Sequence, residues 1–273
     1  MIPAQSEEAS EELSILELWE QRKYDELILL SRNILNRKPM DDTALVLAGF
    51  AHFYKGVAQV SLEEQLPYID SSVTYLRKAN LVSSLPEKLE AEIHYVLGKA
   101  YFHKGRYYTD LAIHYLEKAL EMGYTNEDIH EHLGVAYSRI EDHERSIHYF
   151  LEALERNPSD ILYYTLGQVY FQTNRPRETE EYLLKALDTS RDVNVQQKSR
   201  MLLGRLYFQR EEYVRAKEQY EKILEVNDQS ADAHFHLGEI YEELDNTAKA
   251  RAEWRRALQI DPSHYGARLK LYR

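Results

Sequence analysis

The residues best suited to chemistry in this chain are its histidines, eleven in 273 residues. The nearest cluster is His130-Glu131-His132, with His143 and His148 on the same hairpin. Imidazole nitrogens with a carboxylate would suit zinc or a related ion. The spacing argues against that use. Residues two apart point to different sides of a helix, and no HExxH pair is present. Ordinary surface or repeat-position histidines are therefore expected, with no metal and no cofactor. There is no cysteine, so thiolate ligands and disulfides are excluded. Neither a Gly-x-Gly-x-x-Gly loop nor a P-loop occurs, and no serine or threonine sits in a nucleophile elbow. No catalytic residue is assigned, and an enzyme is not expected. The 22 tyrosines invite comparison with a ligand box. Most of them recur at fixed places, as Tyr101, Tyr137, Tyr149, Tyr182 and Tyr213 do, and core duty is the expected reading for those.

Composition narrows the partners. The formal net charge is −12, which disfavours nonspecific nucleic-acid binding and anionic membrane surfaces. No apolar stretch is long enough to span a bilayer. The segment Met1-Ile-Pro-Ala-Gln-Ser-Glu-Glu lacks the basic and apolar regions of a signal peptide. A cytoplasmic location is expected; the alternative is the periplasm or cell envelope, if a signal segment has been removed. A hydrophobic fraction of 44%, 29% charged residues and only 7 prolines and 10 glycines fit a soluble, all-helical chain.

The elements that carry these residues are marked by glycine. Gly49, Gly98, Gly134, Gly167, Gly204 and Gly238 recur at nearly even steps. All but Gly49 follow a leucine directly and precede a tyrosine by three residues: Tyr101, Tyr137, Tyr170, Tyr207 and Tyr241. A glycine inside a helix costs about 1 kcal/mol against alanine, so each marks a place where a neighbour must approach the backbone. After Gly134 come Ala136 and Tyr137, a polar turn Glu141-Asp142-His143, then a second apolar-periodic run Ile147, Phe150, Ala153 and Leu154. Pro158 stops that second helix, as Pro262 does in the last unit, because proline lacks the amide donor and clashes with the preceding turn. The unit is a helical hairpin.

These residues resemble the tetratricopeptide repeat family, whose unit of about 34 residues carries Leu-Gly-x-x-Tyr, Ala and Pro at these places. The resemblance covers residues 8–264. It implies an all-α, right-handed superhelical solenoid of stacked helix-turn-helix repeats. The expected organisation is an acidic tail over 1–7, about seven repeats at 8–41, 42–80, 91–126, 127–159, 160–193, 197–230 and 231–264, and a capping helix over 265–273. Two repeats depart from the pattern. Gly49 has His52 where tyrosine belongs, and its second helix resumes late, an insertion of about 11 residues near 57–67. That insertion reads as an extended helix pair or as a second partner surface. In the first repeat Ile15 holds the glycine position.

The resemblance also implies that first helices line a concave groove, through residues three before, one after and four to five after each glycine. The partner-binding positions so assigned are Lys99, Phe102, Arg139, Tyr164, Gln168, Phe171, Gln172, Arg205, Phe208, Phe235 and Glu239. Phe50, Phe53, Tyr54, Tyr95 and His103 fall in the same set. None of the residues after glycine is asparagine, which separates the chain from the carboxylate-clamp subclass that binds chaperone C-termini. The expected function is a noncatalytic protein–protein interaction scaffold or adaptor, holding a segment of a partner protein during assembly of a multiprotein complex. The alternative is a peptide or small-molecule sensor whose groove closes on a ligand. Basic residues near the end (Arg251, Arg255, Arg256, Arg268, Lys270, Arg273) and acids at the start (Glu7, Glu8, Glu11, Glu12) permit weak head-to-tail self-association, although two solvated ends are the plainer reading.

Overall fold

In a computed structural model of the chain, residues 14–81 and 85–272 are described. The expected acidic tail, 1–7, lies outside the described residues. Every regular element among the described residues is helical, and no strand occurs there. A first helix, α1, is helical over 14–20. Then come α2 (Tyr24–Arg37), α3 (Asp42–Val57), α4 (Leu62–Ala79), α5 (Glu87–His103), α6 (Thr109–Glu121), α7 (Ile129–Arg139) and α8 (His143–Arg156). They are followed by α9 (Asp160–Gln172), α10 (Pro176–Thr189), α11 (Val193–Gln209), α12 (Tyr213–Val226), α13 (Ala231–Glu243), α14 (Thr247–Ile260) and α15 (Tyr265–Tyr272). The chain divides into two compact units, one ending at Tyr149 and the other beginning at Phe150, within α8.

Local sequence fixes where the helices begin. Asp41, Ser61, Ser159 and Ser230 each accept a hydrogen bond from the backbone amide three residues on, at 2.9–3.3 Å. Each satisfies a donor that a helix start leaves open. Pro176 sits in the first turn of α10, where its missing amide costs nothing. The second helices end as expected: α8 stops at Arg156, ahead of Pro158, and α14 stops at Ile260, ahead of Pro262.

Five of the hairpin turns share one geometry. Arg22, Glu141, Asn174, Glu211 and Asp245 all stand in the left-handed region, with φ between 55° and 63°. Immediately afterwards the chain closes a six-to-one hydrogen bond back onto the first helix. Asp142 N–H reaches the carbonyl of Tyr137 at 3.0 Å, Arg175 that of Tyr170 at 2.9 Å, Glu212 that of Tyr207 at 2.8 Å and Asn246 that of Tyr241 at 2.8 Å. This is the Schellman closure of a helix end. The repeat tyrosine thus supplies its carbonyl to the turn as well as its ring to the core. Between α5 and α6 the two extra residues are taken up by Gly105, at φ 96°, and a 3-10 turn, Arg106–Tyr108.

The marked glycines are contact points. A methyl group added at Gly98 would lie 2.6 Å from Leu116 Cγ, one at Gly167 2.7 Å from Leu183 and one at Gly204 2.5 Å from the Tyr220 ring. At Gly49 and Gly238 it would strike Leu76 and Trp254. Leu76 follows Gly49 by 27 positions, against 16 from Gly167 to Leu183. The extra length near 57–67 is absorbed by lengthening both helices of the hairpin, α3 to 16 residues and α4 to 18, and the glycine contact is retained.

A second periodic device lies beside the first. In three hairpins a tyrosine of the second helix is packed by two side chains of the first helix, four before and three after the glycine. Tyr115 stacks on Tyr101 at 5.5 Å and on His94 at 5.6 Å. Tyr149 takes Tyr137 at 5.5 Å and His130 at 6.3 Å, and Tyr182 takes Tyr170 at 5.4 Å and Tyr163 at 6.4 Å. His52, which stands at the tyrosine place of its repeat, packs on Tyr75 at 5.2 Å. In the last two hairpins the pairs turn polar: Arg200 donates to Gln219 at 3.2 Å and His234 meets Glu253 at 2.6 Å.

Each unit carries its own core. In the first, Leu45, Phe53, Leu76, Ile93, Leu97, Leu116 and Leu133 are joined in one cluster. In the second, Leu183, Leu203, Leu206, Tyr220 and Leu237 form another, and Trp254 and Ala257 pack with Ala267 of α15. No helix among the described residues is long and apolar enough to cross a membrane.

Candidate partner-binding faces

The first-helix residues assigned to the groove fall into one group in each unit. In the first unit Lys99 projects from α5 toward the turn before α7. Its ammonium donates to Asp128 Oδ2 at 2.6 Å and to the Tyr95 hydroxyl at 3.1 Å. The Tyr95 hydroxyl in turn donates to Asp128 Oδ1 at 2.6 Å. Burial works to raise the Asp128 pKa, but the bonds from Lys99 and Tyr95 outweigh it and hold the carboxyl below its ordinary value. Burial and the Asp128 bond together raise the Tyr95 hydroxyl far above the ordinary phenol range. Lys99 is therefore a spent cation, locked in a closed clasp.

One turn further along α5, Arg139 of α7 lies 3.8 Å over the Phe102 ring and donates to the Phe102 carbonyl at 3.1 Å. The His132 ring meets the edge of Phe102 at 5.0 Å. His103 packs against Phe53 at 6.1 Å. Its pKa is pushed down to about 4, by burial first and then by the charges of His132, Lys99 and Arg139. His130 and His132 therefore face different neighbours, Tyr149 for one and Phe102 for the other. Among the described residues no group of three metal-ligating side chains converges.

Three aromatic residues assigned to this face belong to the core. Phe50, Phe53 and Tyr95 are buried, at 3%, 2% and 5% exposure. Phe50 is covered by Trp19, 5.8 Å away, and Trp19 packs in turn on Tyr24 and Tyr54. Tyr95 is covered by Tyr124 at 4.8 Å. Trp19 comes from the neighbouring hairpin and Tyr124 from the far end of the same one, and nothing in the periodicity of one helix could have placed them.

In the second unit the same face is open. Tyr164 and Gln168 of α9 stand across from Gln197, Lys198, Met201 and Arg205 of α11, and Ser230 and Asp232 close one end of a cleft of about 350 Å³. Gln168, Gln172 and Arg205 are exposed, and Tyr164, Phe171, Phe208, Phe235 and Glu239 are half-buried. The Arg205 guanidinium rests 5.2 Å from the Phe171 ring. Phe208 meets the Tyr213 ring at 5.6 Å. Glu239 is tied to His236 at 2.8 Å. Phe235 is covered on one side by His264, which packs at 4.8 Å just before α15, and by α15 itself, where a methyl on Gly266 would stand 2.7 Å from the ring. The structure thus brings Tyr164, Gln168 and Arg205 together in one cleft, with Phe171 beside it. Gln197, Lys198 and Asp232 also line that cleft, and they lie six or seven residues before the next glycine, where the groove pattern does not look.

Known proteins resemble the chain in both sequence and fold. Sequence signatures of the tetratricopeptide repeat match residues 91–122, 128–160, 162–193 and 201–265, more than half of the chain. A stretch of 140 residues, 50% of this chain, is 26% identical to the anaphase-promoting complex subunit CDC16 of Saccharomyces cerevisiae, and spans only 17% of that subunit's length. The C-terminal part of a TPR repeat-containing protein from Cytophaga hutchinsonii aligns with a TM-score of 0.70 at 17% identity, covering 96% of this chain and 100% of that one. YrrB, described as a TPR protein with an unusual peptide-binding site, aligns with a TM-score of 0.55 at 21% identity, covering 71% of this chain and 96% of its own. Evenly stepped glycine contacts, Schellman-closed hairpins and matching repeat signatures lead to one conclusion: the chain belongs to the tetratricopeptide repeat family.

Proposed function

We propose that the chain is a noncatalytic interaction scaffold that holds a segment of a partner protein on the face built from its first helices. The carrying observation is the cleft between α9 and α11. The hairpin interiors are filled, down to glycines that leave no room for a methyl group. This face keeps an open space lined by an aromatic ring, amides, two cations and a carboxylate. Half-buried rings and unengaged amides suit an extended or helical peptide, whose backbone needs hydrogen bonds and whose side chains need apolar footing. The resemblance to a subunit of a large assembly and to a protein with a peptide-binding site supports this reading, and with it a role in assembling a multiprotein complex.

The test is affinity capture with the wild-type chain and with a Phe171→Ala, Phe208→Ala double variant. Both rings are half-buried at the edge of the face, so the fold should survive the change. The expected result is loss of the captured partner. Unchanged recovery refutes the reading. The cleft also reaches the lower end of the size range of small-molecule sites, which is what a sensor would need. A thermal-shift screen separates the two: stabilisation by small molecules alone favours a sensor, and stabilisation by peptides alone favours the scaffold.

A further inference from the structure

The repeat register allows one site in the molecule to be compared with another. In the first unit, the residue after a marked glycine (Lys99) faces the residue six before the next one (Asp128), and they close at 2.6 Å with the help of Tyr95, three before its glycine. In the second unit the same three register positions are Arg205, Asp232 and Met201. The clasp there is open. Methionine brings no hydroxyl to bridge the pair. Asp232 is engaged elsewhere, by His264. The tautomer of that histidine is set by the structure: Nδ1 accepts from the Ala267 amide at 3.1 Å, so Nε2 carries the proton and donates it to Asp232 Oδ1 at 3.1 Å. Arg205 is left over the Phe171 ring without a carboxylate partner among the described residues. Lys198, also exposed and also lining the cleft, has none either. The Tyr164 ring packs against the core of this unit, but its hydroxyl and the side-chain amides of Gln168 and Gln197 make no hydrogen bond among the described residues. In a chain of net charge −12, the cleft concentrates two unspent cations and unspent neutral donors against one carboxylate that is already bonded.

We infer that this cleft recognises an acidic segment of the partner, with one carboxylate seated on Arg205 and a second near Lys198. The inference rests on the scaffold reading above and gives it a partner chemistry. Arginine held over an aromatic ring keeps its planar fork free for a carboxylate. Lys198 and Arg205 are seven residues apart on α11, about 10 Å along the helix at 1.5 Å per residue. A segment in polyproline II conformation, with three residues per turn and a rise of about 3.1 Å per residue, covers about 9 Å in three residues and brings its side chain back to the same side. The segment therefore carries two acidic residues three positions apart. Between them an apolar side chain rests on Met201, and the amides of Gln168 and Gln197 bond the segment's backbone.

The probes are fluorescent dodecapeptide pools, degenerate except at positions 5 and 8, which are fixed as Glu/Glu, Gln/Gln or Lys/Lys. They are titrated against the full chain by anisotropy at low and at moderate salt. The expected result is binding of the Glu/Glu pool about tenfold tighter than the Gln/Gln pool, weakened by salt. Arg205→Gln removes that preference. Lys222→Gln, a change on α12 at a cation that pairs with Glu218, keeps it. Circular dichroism confirms that each variant is folded. Equal binding of Glu/Glu and Gln/Gln pools overturns the acidic class and leaves the scaffold reading standing. A preference that survives Arg205→Gln overturns the assigned site. If no pool binds, this inference falls, and the capture experiment with the Phe171 and Phe208 variant decides separately whether the scaffold reading falls with it.

Discussion

Replacing Gly98 with alanine sets two effects of opposite sign against each other. Helix propensity alone favours the substitution by about 1 kcal/mol, because Gly98 lies inside α5. The packing opposes it. The new methyl would stand 2.6 Å from Leu116 Cγ, 2.9 Å from Cδ2 and 3.0 Å from the Leu116 amide nitrogen. Carbon atoms prefer separations of about 3.5–4.0 Å. Leu116 is fully buried, and its backbone nitrogen cannot swing aside as a side chain can. Overpacking of this kind costs about 1–3 kcal/mol, so the net expectation is a loss of about 1 kcal/mol. The comparison becomes decisive in a Leu116→Ala background. That change costs about 2–5 kcal/mol by itself, but it removes the two closest atoms. In that background Gly98→Ala should be neutral or stabilising. The assay is equilibrium urea unfolding by far-ultraviolet circular dichroism on the four chains of the double-mutant cycle. A higher midpoint for Gly98→Ala in the wild-type background would refute the contact argument, as would the same shift in both backgrounds.

Other consequences can be checked in the same way. Glu141 and Glu211 hold φ of 63° and 59°, which costs a side-chain-bearing residue about 1 kcal/mol or more. Glu211→Gly should therefore raise stability by up to about 1 kcal/mol, and a lower melting temperature would contradict the turn geometry. Tyr115→Leu removes a ring that stacks on both Tyr101 and His94; a loss of about 1–2 kcal/mol in urea is expected, at about 0.5–1.5 kcal/mol for each aromatic pair. Stability should also fall with acid. The His103 pKa is about 4 in the folded chain against 6.5 for the free side chain, lowered mainly by burial, and burial lowers those of His52, His94 and His132 in the same direction. Between pH 6.5 and 4 the unfolded chain binds more protons at His103, so folding weakens as the pH drops through that window. His103→Gln should flatten the pH dependence of the urea midpoint there, and an unchanged slope would count against the burial of this ring.

The glycine and tyrosine pattern predicts hairpins because both signals are local. Gly98, Gly167, Gly204 and Gly238 meet their contact residues 16 or 18 positions on, and Tyr137, Tyr170, Tyr207 and Tyr241 each give a carbonyl to the turn that closes their helix. What the pattern leaves hidden depends on residues outside the helix that carries it. Phe50 and Tyr95 look like groove residues until Trp19 and Tyr124 cover them. Lys99 looks like an available cation until Asp128, 29 residues on, claims it. A signal for the stacked tyrosines was present, since Tyr75, Tyr115 and Tyr182 all stand one place before a contact residue, but it is visible only once the contact residues are known. The cleft of the second unit draws Gln197, Lys198 and Asp232 from helix starts, a part of the repeat where the family's groove pattern makes no assignment.

The chain has two tryptophans, one in each compact unit. Trp19 sits among Tyr24, Phe50 and Tyr54 in the first. Trp254 is buried in the second, with its indole nitrogen donating to the Phe235 carbonyl at 3.2 Å. The protein is therefore optically addressed unit by unit without any label. In Trp19→Phe the emission comes from the second unit alone, and in Trp254→Phe from the first alone. Two emission curves recorded against temperature or urea would then give the order in which the units come apart, and would reveal whether a ligand that tightens one of them is sensed by the other.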